Sequence, residues 1–396
     1  MDARKARRVL VVAVGAMMAL VARTKEIEKF PKPTDAERLD LIRRSHVFTP
    51  TDVSSKDLYE GPAGKLPFHV DDEVTCTFVP KQMNGWTEKF SCRLEDGTVV
   101  KVKYNGPSAY KEVFGEVLGT RLFWALGFYA DRMIPVRVTC RDCPEHPWEY
   151  VNNRKRVPRD EKGRIEELPE DAFQGTYHFD LAAIEEPVDA AVIEQQGRQG
   201  WDWKLLDTID EAAGGSTKAE VDALRLLNAF VQNADNKAAQ NTLACPQEAI
   251  VEDASGKPGC TKPIMYVDDL GSVFGEGGMT TGGTGRIDYD GWKAHPVWKD
   301  AKACRARLAA IGGPFRHTTL RDPVIGEGGR RLLAAQLAKL SDKQIADLFR
   351  AGRVERLGQK TREGAQGERP VTIDDWVTLF KAKRREITEH PGCPLP

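Results

Sequence analysis

The sequence predicts an α+β fold in two lobes: a small sheet holding one helix, then a mostly helical lobe. Two observations carry this. Between residues 70 and 140, short β-rich runs alternate with turn signals and are interrupted by one helical pattern. Beyond about residue 190, helix starts and apolar residues at helical spacing take over. The chain has 396 residues, 41% of them hydrophobic, which is ample for such a core.

Residues 1–22 read as a secretory signal peptide. Arg4, Lys5, Arg7 and Arg8 form a positive start, and Val9 to Ala22 is an unbroken apolar run. The run is shorter than the roughly 20 residues a membrane-spanning helix needs. Charge resumes at Arg23, Lys25 and Glu26. Cleavage would leave no stable membrane span and place the mature chain in the periplasm or outside the cell; the alternative is tethering by an uncleaved signal anchor. Residues 23–69 read as an N-terminal extension and linker, with one helix begun by the capping box Thr34-x-x-Glu37.

Residues 70–180 form the expected first lobe. Val74 to Val79, Phe90 to Leu94 and Thr98 to Tyr104 are strand-like, with Asn84-Gly85 in the first connection and the hairpin signal Asp96-Gly97 in the second. Lys111 to Leu126 has helical periodicity through Val113, Phe114, Val117, Leu118 and Leu122, with Gly127 as its C-terminal cap. Met133 to Val138 returns as a strand, and the charged, Pro-rich residues 144–172 read as an inserted surface loop. Residues 181–392 form the second lobe. Thr217-x-x-Glu220 starts a helix carrying Val221, Leu224, Leu227 and Val231. Asn241 to Ala244 and Pro263 to Val267 are strand-like, and Gly275 to Gly285 is a Gly/Thr-rich loop. Late helices begin near Gly328, at Ser341-x-x-Gln344 and near Thr372.

The formal net charge of −1 gives no basic field to attract nucleic acid. The one locally basic run, Lys381 to Arg385, reads as a solvated helix face. Eight cysteines behind an export signal point to disulfides. Cys76 with Cys92, and Cys245 with Cys260, each flank two adjacent strands, and a short loop centred on Asn84 sets Cys76 opposite Cys92. Cys140-Arg-Asp-Cys143 lacks the His of a haem attachment and the second close pair of a zinc site, so a disulfide is expected there too, with Cys140 or Cys143 joined to Cys304.

Phosphoryl transfer needs a cation on the phosphates, a divalent metal held by carboxylate or amide, and a carboxylate near the acceptor hydroxyl. Four patterns supply these in order. Val100-Lys101-Val102-Lys103 on the third strand puts both lysines on one face, with Lys103 in the phosphate-binding place. Glu116 in the next helix has the position to pair with Lys103. Asp235 and Lys237 stand as Asp-x-Lys after a capped helix, followed by Gln240 and Asn241 where a metal-holding amide belongs. Val267-Asp268-Asp269-Leu270-Gly271 is a strand ending in an Asp-x-Gly metal turn. Singly, each also reads as a solvated strand lysine, a surface Glu, a polar helix exit or an acidic strand exit. Met83-Asn84-Gly85-Trp86 occupies the place of a phosphate-covering loop, with Gly85 its one glycine.

With these stand Gly115-Glu116-Val117-Leu118-Gly119 through Phe128, Asp269 through Gly275, and Arg330-Arg331-Leu332-Leu333 through Phe349. Over roughly residues 74–350 the chain resembles secreted bacterial proteins similar to atypical kinases: the HipA type, phosphatidylinositol kinases and secretory-pathway casein kinases. The resemblance implies a protein-kinase-like fold and an exported, ATP-dependent phosphotransferase. Lys103, Glu116, Lys101 and Gly85 would serve the nucleotide, and Asp269, Gln240 and Asn241 would hold Mg²⁺ or Mn²⁺. Asp235 and Lys237 would be catalytic toward a protein, glycan or lipid hydroxyl. The alternative is a catalytically inactive kinase fold acting as a binding module, favoured by export to ATP-poor surroundings, by Gln240 in place of Asn, and by the single glycine. A hydrolase is disfavoured, since neither Gly-x-Ser-x-Gly nor His-Glu-x-x-His occurs, and His178 reads as structural.

Overall fold

The computed structural model describes residues 30–85, 87–106, 111–152, 174–193, 200–254, 256–275, 287–308, 320–362 and 367–393. The expected signal peptide, Trp86, most of the 144–172 insertion and nearly all of the Gly/Thr-rich loop lie outside these residues.

The mixed helix and strand content is that of an α+β protein. After helix α1 (Asp35–Arg43) come strands β1 (Glu73–Val79), β2 (Lys89–Arg93) and β3 (Val99–Tyr104), helix α2 (Glu112–Ala125) and β4 (Arg132–Cys143). Helix α3 (Pro147–Val151) and β5 (Gly175–Glu186) follow. The five strands close into a barrel in the order β1-β2-β3-β5-β4, and the closing pair, β1 with β4, is parallel. Alternation decides what fills it: Val74, Phe78, Phe90, Val100, Val102, Val136, Val138 and Ile184 pack together as one buried cluster. The Asp96-Gly97 signal makes its hairpin, with Gly97 at φ 88° and Thr98 N donating to Asp96 Oδ1 at 2.8 Å.

Beyond the barrel lie β6 (Ala190–Val192), α4 (Lys218–Phe230), β7 (Asn241–Pro246), β8 (Ile250–Glu252), β9 (Pro258–Cys260) and β10 (Ile264–Val267). They are followed by α5 (Tyr289–Ala294), α6 (Glu327–Ala338), α7 (Asp342–Ala351) and α8 (Ile373–Thr388). The capping boxes read from the sequence form at Thr34, Thr217 and Ser341, each binding the backbone N–H of the residue three ahead. β10, β7 and β6 make a small sheet beneath the loops that end α4 and β10. Helix α2 is buried almost all round, wedged against both the barrel and α7, so its surface is apolar on several sides. Residues 50–69 are laid against the fold: Val53 and Leu58 are fully buried, and Gln344 Nε2 donates to Val53 O at 2.8 Å and Lys56 O at 2.9 Å.

Three expectations need correction. Cys76–Cys92 and Cys245–Cys260 are bonded as expected, but Cys140 bonds Cys143, and Cys304 bonds Cys393. Residues three apart on a regular strand face opposite ways. A one-residue bulge against β5, with Asp142 at φ 49°, turns Cys143 back onto the face of Cys140. Cys76 does not lie directly opposite Cys92 either. Phe78 does, and the bridge runs diagonally across β1 and β2 over a Cα separation of 5.6 Å. Finally, the basic run on α8 is not a solvated face. Lys383 is buried, its ammonium over the Trp292 ring and bonded to His295 O. Arg384 caps the end of α6 through Leu337 O and Leu340 O.

Candidate functional site

The barrel supplies a set of fixed cations. Val100 and Val102 fill its interior, so Lys101 and Lys103 project from the other face of β3. The Lys103 ammonium is ion-paired with Glu116 of α2, and with Glu185 Oε2 of β5 at 3.1 Å; Lys101 takes the other Glu185 oxygen. Burial opposes the Lys103 charge, but Glu116, Glu185 and Asp269 outweigh it and hold its pKa well above the usual lysine range. Burial likewise opposes the Glu185 charge, yet Lys103 and Lys101 bring its pKa down to about 2. Glu116 goes the other way. Burial dominates, Lys103 recovers only part, and Asp269 and Glu185 add to the rise, which reaches about 7. Glu112, one turn earlier on α2, is pushed to about 8 by burial and by Asp269 and Glu116.

The helical side supplies the carboxylates. After α4 the chain turns through Gln232 at φ 55°. Buried Asn233 donates to Asn228 Oδ1 at 2.9 Å, and buried Asn236 donates to Asn233 O at 3.0 Å and Leu320 O at 3.1 Å. With the asparagine side chains spent on interior partners, Asp235 and Lys237 are left at the part-exposed side of the turn. Lys237 Nζ donates to both oxygens of Asp235, at 2.9 and 2.8 Å. Burial raises the Asp235 pKa and Lys237 pulls it part of the way back. Gln240 Nε2 bridges the two acidic motifs, donating to Asp235 Oδ2 at 3.0 Å and Asp269 Oδ2 at 2.9 Å. The Gln240 backbone carbonyl accepts from Asp268 N at 2.9 Å, and Gly271 N donates to Asp269 Oδ1 at 3.1 Å.

Two glycines bring the sides together. A Cβ on Gly115 would lie 2.3 Å from Gly271 O, and one on Gly119 would lie 2.7 Å from Leu270 Cβ. The Gly115-Glu116-Val117-Leu118-Gly119 run therefore lets α2 rest directly on the Asp269-Leu270-Gly271 turn, carrying Glu116 to it.

Lys101, Lys103 and Glu116 thus form one linked set of contacts and Asp235, Lys237, Gln240 and Asp269 a second, and the two meet where α2 rests on the Asp269-Leu270-Gly271 turn. Asn241 does not join them. It opens β7, where strand alternation turns it inward, and its Nδ2 donates to Trp201 O at 2.8 Å. Gly85, at φ 103°, abuts the Lys89 ammonium. Asp268 sits instead beside buried Asp131, whose pKa is raised by burial and by the neighbouring Asp268 carboxylate. Sequence reasoning missed Glu185, Glu112 and Lys89. The Lys89 signal was present, because counting back from the Asp96-Gly97 turn pairs Lys89 with Lys103. Glu185 has no local signal, since its role depends on β5 returning to β3 from some eighty residues away in the chain.

Asp235, Gln240 and Asp269 offer carboxylate and amide groups, the hard donors that suit Mg²⁺ or Mn²⁺. The Gln240 amide N–H groups between two carboxylates provide partial positive charge where those carboxylates converge. A residue set of this kind can bind a metal-chelated polyanion against Lys103 and receive a proton at Asp235.

No family model matches the chain, and no curated protein matches it. A solved structure similar to it is that of a Helicobacter pylori proinflammatory kinase, CtkA, with a TM-score of 0.39 and 8% sequence identity, covering 81% of this chain and 95% of that chain.

Proposed function

We propose that this is an exported, two-lobed kinase-like phosphotransferase that binds a nucleoside triphosphate with Mg²⁺ or Mn²⁺ between the barrel and the helical side. The observation that carries the reading is the buried Lys103–Glu116 pair, held by α2 against the turn that bears Asp269. A strand lysine paired with a helix glutamate, facing an Asp-x-Gly turn, is the arrangement phosphoryl transfer from a nucleotide uses. Export is supported by the four disulfides. It is also consistent with the observation that, among the described residues, no helix is long and apolar enough to cross a membrane.

In this reading Lys103 binds phosphate oxygens, and Glu116 with Glu185 fixes its direction. Asp269 would hold the divalent cation, with Gln240 turned to present its amide oxygen. When bound, the metal offsets phosphate charge and orients the transferring group. Asp235 accepts the proton of the acceptor hydroxyl as its oxygen bonds to phosphorus and the nucleoside diphosphate departs. Its raised pKa suits that role. Lys237, now paired with Asp235, would shift to the phosphoryl oxygens.

A second reading has an observation of its own. Lys237 and Gln240 already satisfy Asp235, and Gln240 reaches Asp269 as well, so the carboxylates are partly compensated without metal. That suits a kinase-fold binding module without turnover. A thermal-shift titration of the mature protein with ATP, GTP, Mg²⁺ and Mn²⁺ tests both readings. Metal-dependent stabilisation by nucleotide is expected, with Asp269→Asn abolishing it and Asp268→Asn retaining most of it. Asp235→Ala should keep binding and remove turnover. No shift with any pair rejects the phosphotransferase reading, and binding without turnover selects the module.

A further inference from the structure

We propose that Lys89 is a second phosphate-binding cation, reaching the nucleotide from β2 beside Lys103. It rests on the nucleotide reading above, and Lys89 belongs to none of the motifs of that reading.

Three contacts fix the side chain. Lys89 and Lys103 are direct cross-strand partners, so they leave the sheet on the same face. The turn between β1 and β2 closes onto the ammonium itself: a Cβ on Gly85 would lie 2.9 Å from Lys89 Nζ, and Gly85 has a φ of 103°. Its positive φ favours glycine at this position, and the ammonium lies directly against it. The ammonium also lies 5.7 Å from the ring centroid of buried Trp148, a cation–π contact that positions a charge without neutralising it.

The charge is uncompensated. Among the described residues Lys101, Lys103 and Lys237 each have a carboxylate at ion-pair distance, and Lys89 has none. Burial and the neighbouring Lys103 and Lys101 lower its pKa, and Asp269 and Glu116 offset this only in part. A positioned cation, crowded by two others and lacking a counter-ion, is completed by an anion. Lys103 is already shared between Glu116 and Glu185 and cannot alone balance a triphosphate. The turn before β2 offers one glycine, Gly85, where a phosphate-covering loop uses several to bring backbone N–H groups close. Lys89 supplies from a side chain what that short turn lacks in backbone donors. The ligand chemistry recognised is a chain of linked phosphates, which inorganic tripolyphosphate shares with ATP and adenosine does not.

Equilibrium binding to the full mature chain distinguishes the outcomes, using a fluorescent ATP analogue with Mg²⁺ displaced by ATP, tripolyphosphate or adenosine. Lys89→Gln should weaken ATP and tripolyphosphate about tenfold or more, the scale of one lost charge-assisted hydrogen bond, and leave adenosine unchanged. Lys89→Arg should recover most of the loss. Unchanged ATP affinity in Lys89→Gln, with binding abolished in Lys103→Met, overturns the role of Lys89 and leaves the nucleotide reading standing. Equal losses for ATP and adenosine, with a lowered melting midpoint, make Lys89 a packing residue and also overturn it. Wild-type protein that binds no nucleotide overturns both.

Discussion

The barrel side and the helical side of the site hold their charges in different ways. On the barrel side Lys103 is buried between Glu116 and Glu185, and Lys101 takes the remaining Glu185 oxygen. Those partners come from three separate elements and are fixed by packing. On the helical side Asp235 and Asp269 are only part-buried, and what joins them is a single amide, Gln240. The first arrangement is costly to disturb, because removing one charge strands another in a dry interior. The second can be exchanged, since an amide donor can rotate and a cation can take its place. The comparison separates a fixed cluster of charges from an adjustable one; on the proposed reading the first would cradle phosphate and the second would grip metal.

The largest effect should come from breaking the fixed side. Lys103→Met leaves Glu116 and Glu185 buried beside each other, with only Lys101 to compensate. Removing one partner from a buried pair costs about 3–5 kcal/mol. Urea denaturation should show a loss of that order along with lost nucleotide binding. A variant as stable as wild type would mean that the pair is solvated, and the contrast between the sides would disappear.

A smaller effect should come from separating the sides. Gly115→Ala sets a methyl group against Gly271 O, a backbone atom that cannot move aside cheaply. Overpacking of this kind costs about 1–3 kcal/mol. Since α2 carries Glu116, the same change should lower the affinity for metal and nucleotide together. Nucleotide affinity equal to wild type would show that contact between α2 and the Asp269 turn is not needed for binding.

Much of this was legible from local signals. Asp96-Gly97 set the hairpin that pairs β2 with β3, and capping boxes placed α1, α4 and α7. Lys103, Glu116, Asp235 and Asp269 could be read because each sits at a fixed step from a strand end, helix or turn. What could not be read depends on pairing between distant segments. The parallel closure of β1 on β4 makes the barrel, and no short-range pattern announces it. Glu185 becomes the second anchor of Lys103 only because β5 inserts between β3 and β4. Asn241 was misplaced for the opposite reason: the residue type was right, but β7 begins at that residue and turns it inward. The Cys140–Cys143 bridge needed a bulge that spacing alone does not reveal.

The smallest effect concerns pH. Glu112 and Glu116 are held at about 8 and about 7, above their ordinary 4.5, by burial and by neighbouring carboxylates. In the folded protein these groups keep protons that the unfolded chain has released once pH exceeds its ordinary carboxylate range. Their contribution to stability is therefore fully present below about pH 4.5 and is lost as pH rises through about 7 to 8. Glu185 acts in the opposite sense. Held at about 2, it contributes above the ordinary glutamate range and loses that contribution only as pH falls toward 2. Between pH 5.5 and 8.5 the α2 carboxylates should decide the slope. Without nucleotide or divalent metal, the urea midpoint should decline gently across that interval. Glu112→Gln should flatten the decline, because an uncharged amide in that position does not titrate. An unaltered slope in Glu112→Gln would show that the crowding of carboxylates around Asp269 is already relieved in the free protein. The exchangeable side would then be as settled as the fixed one.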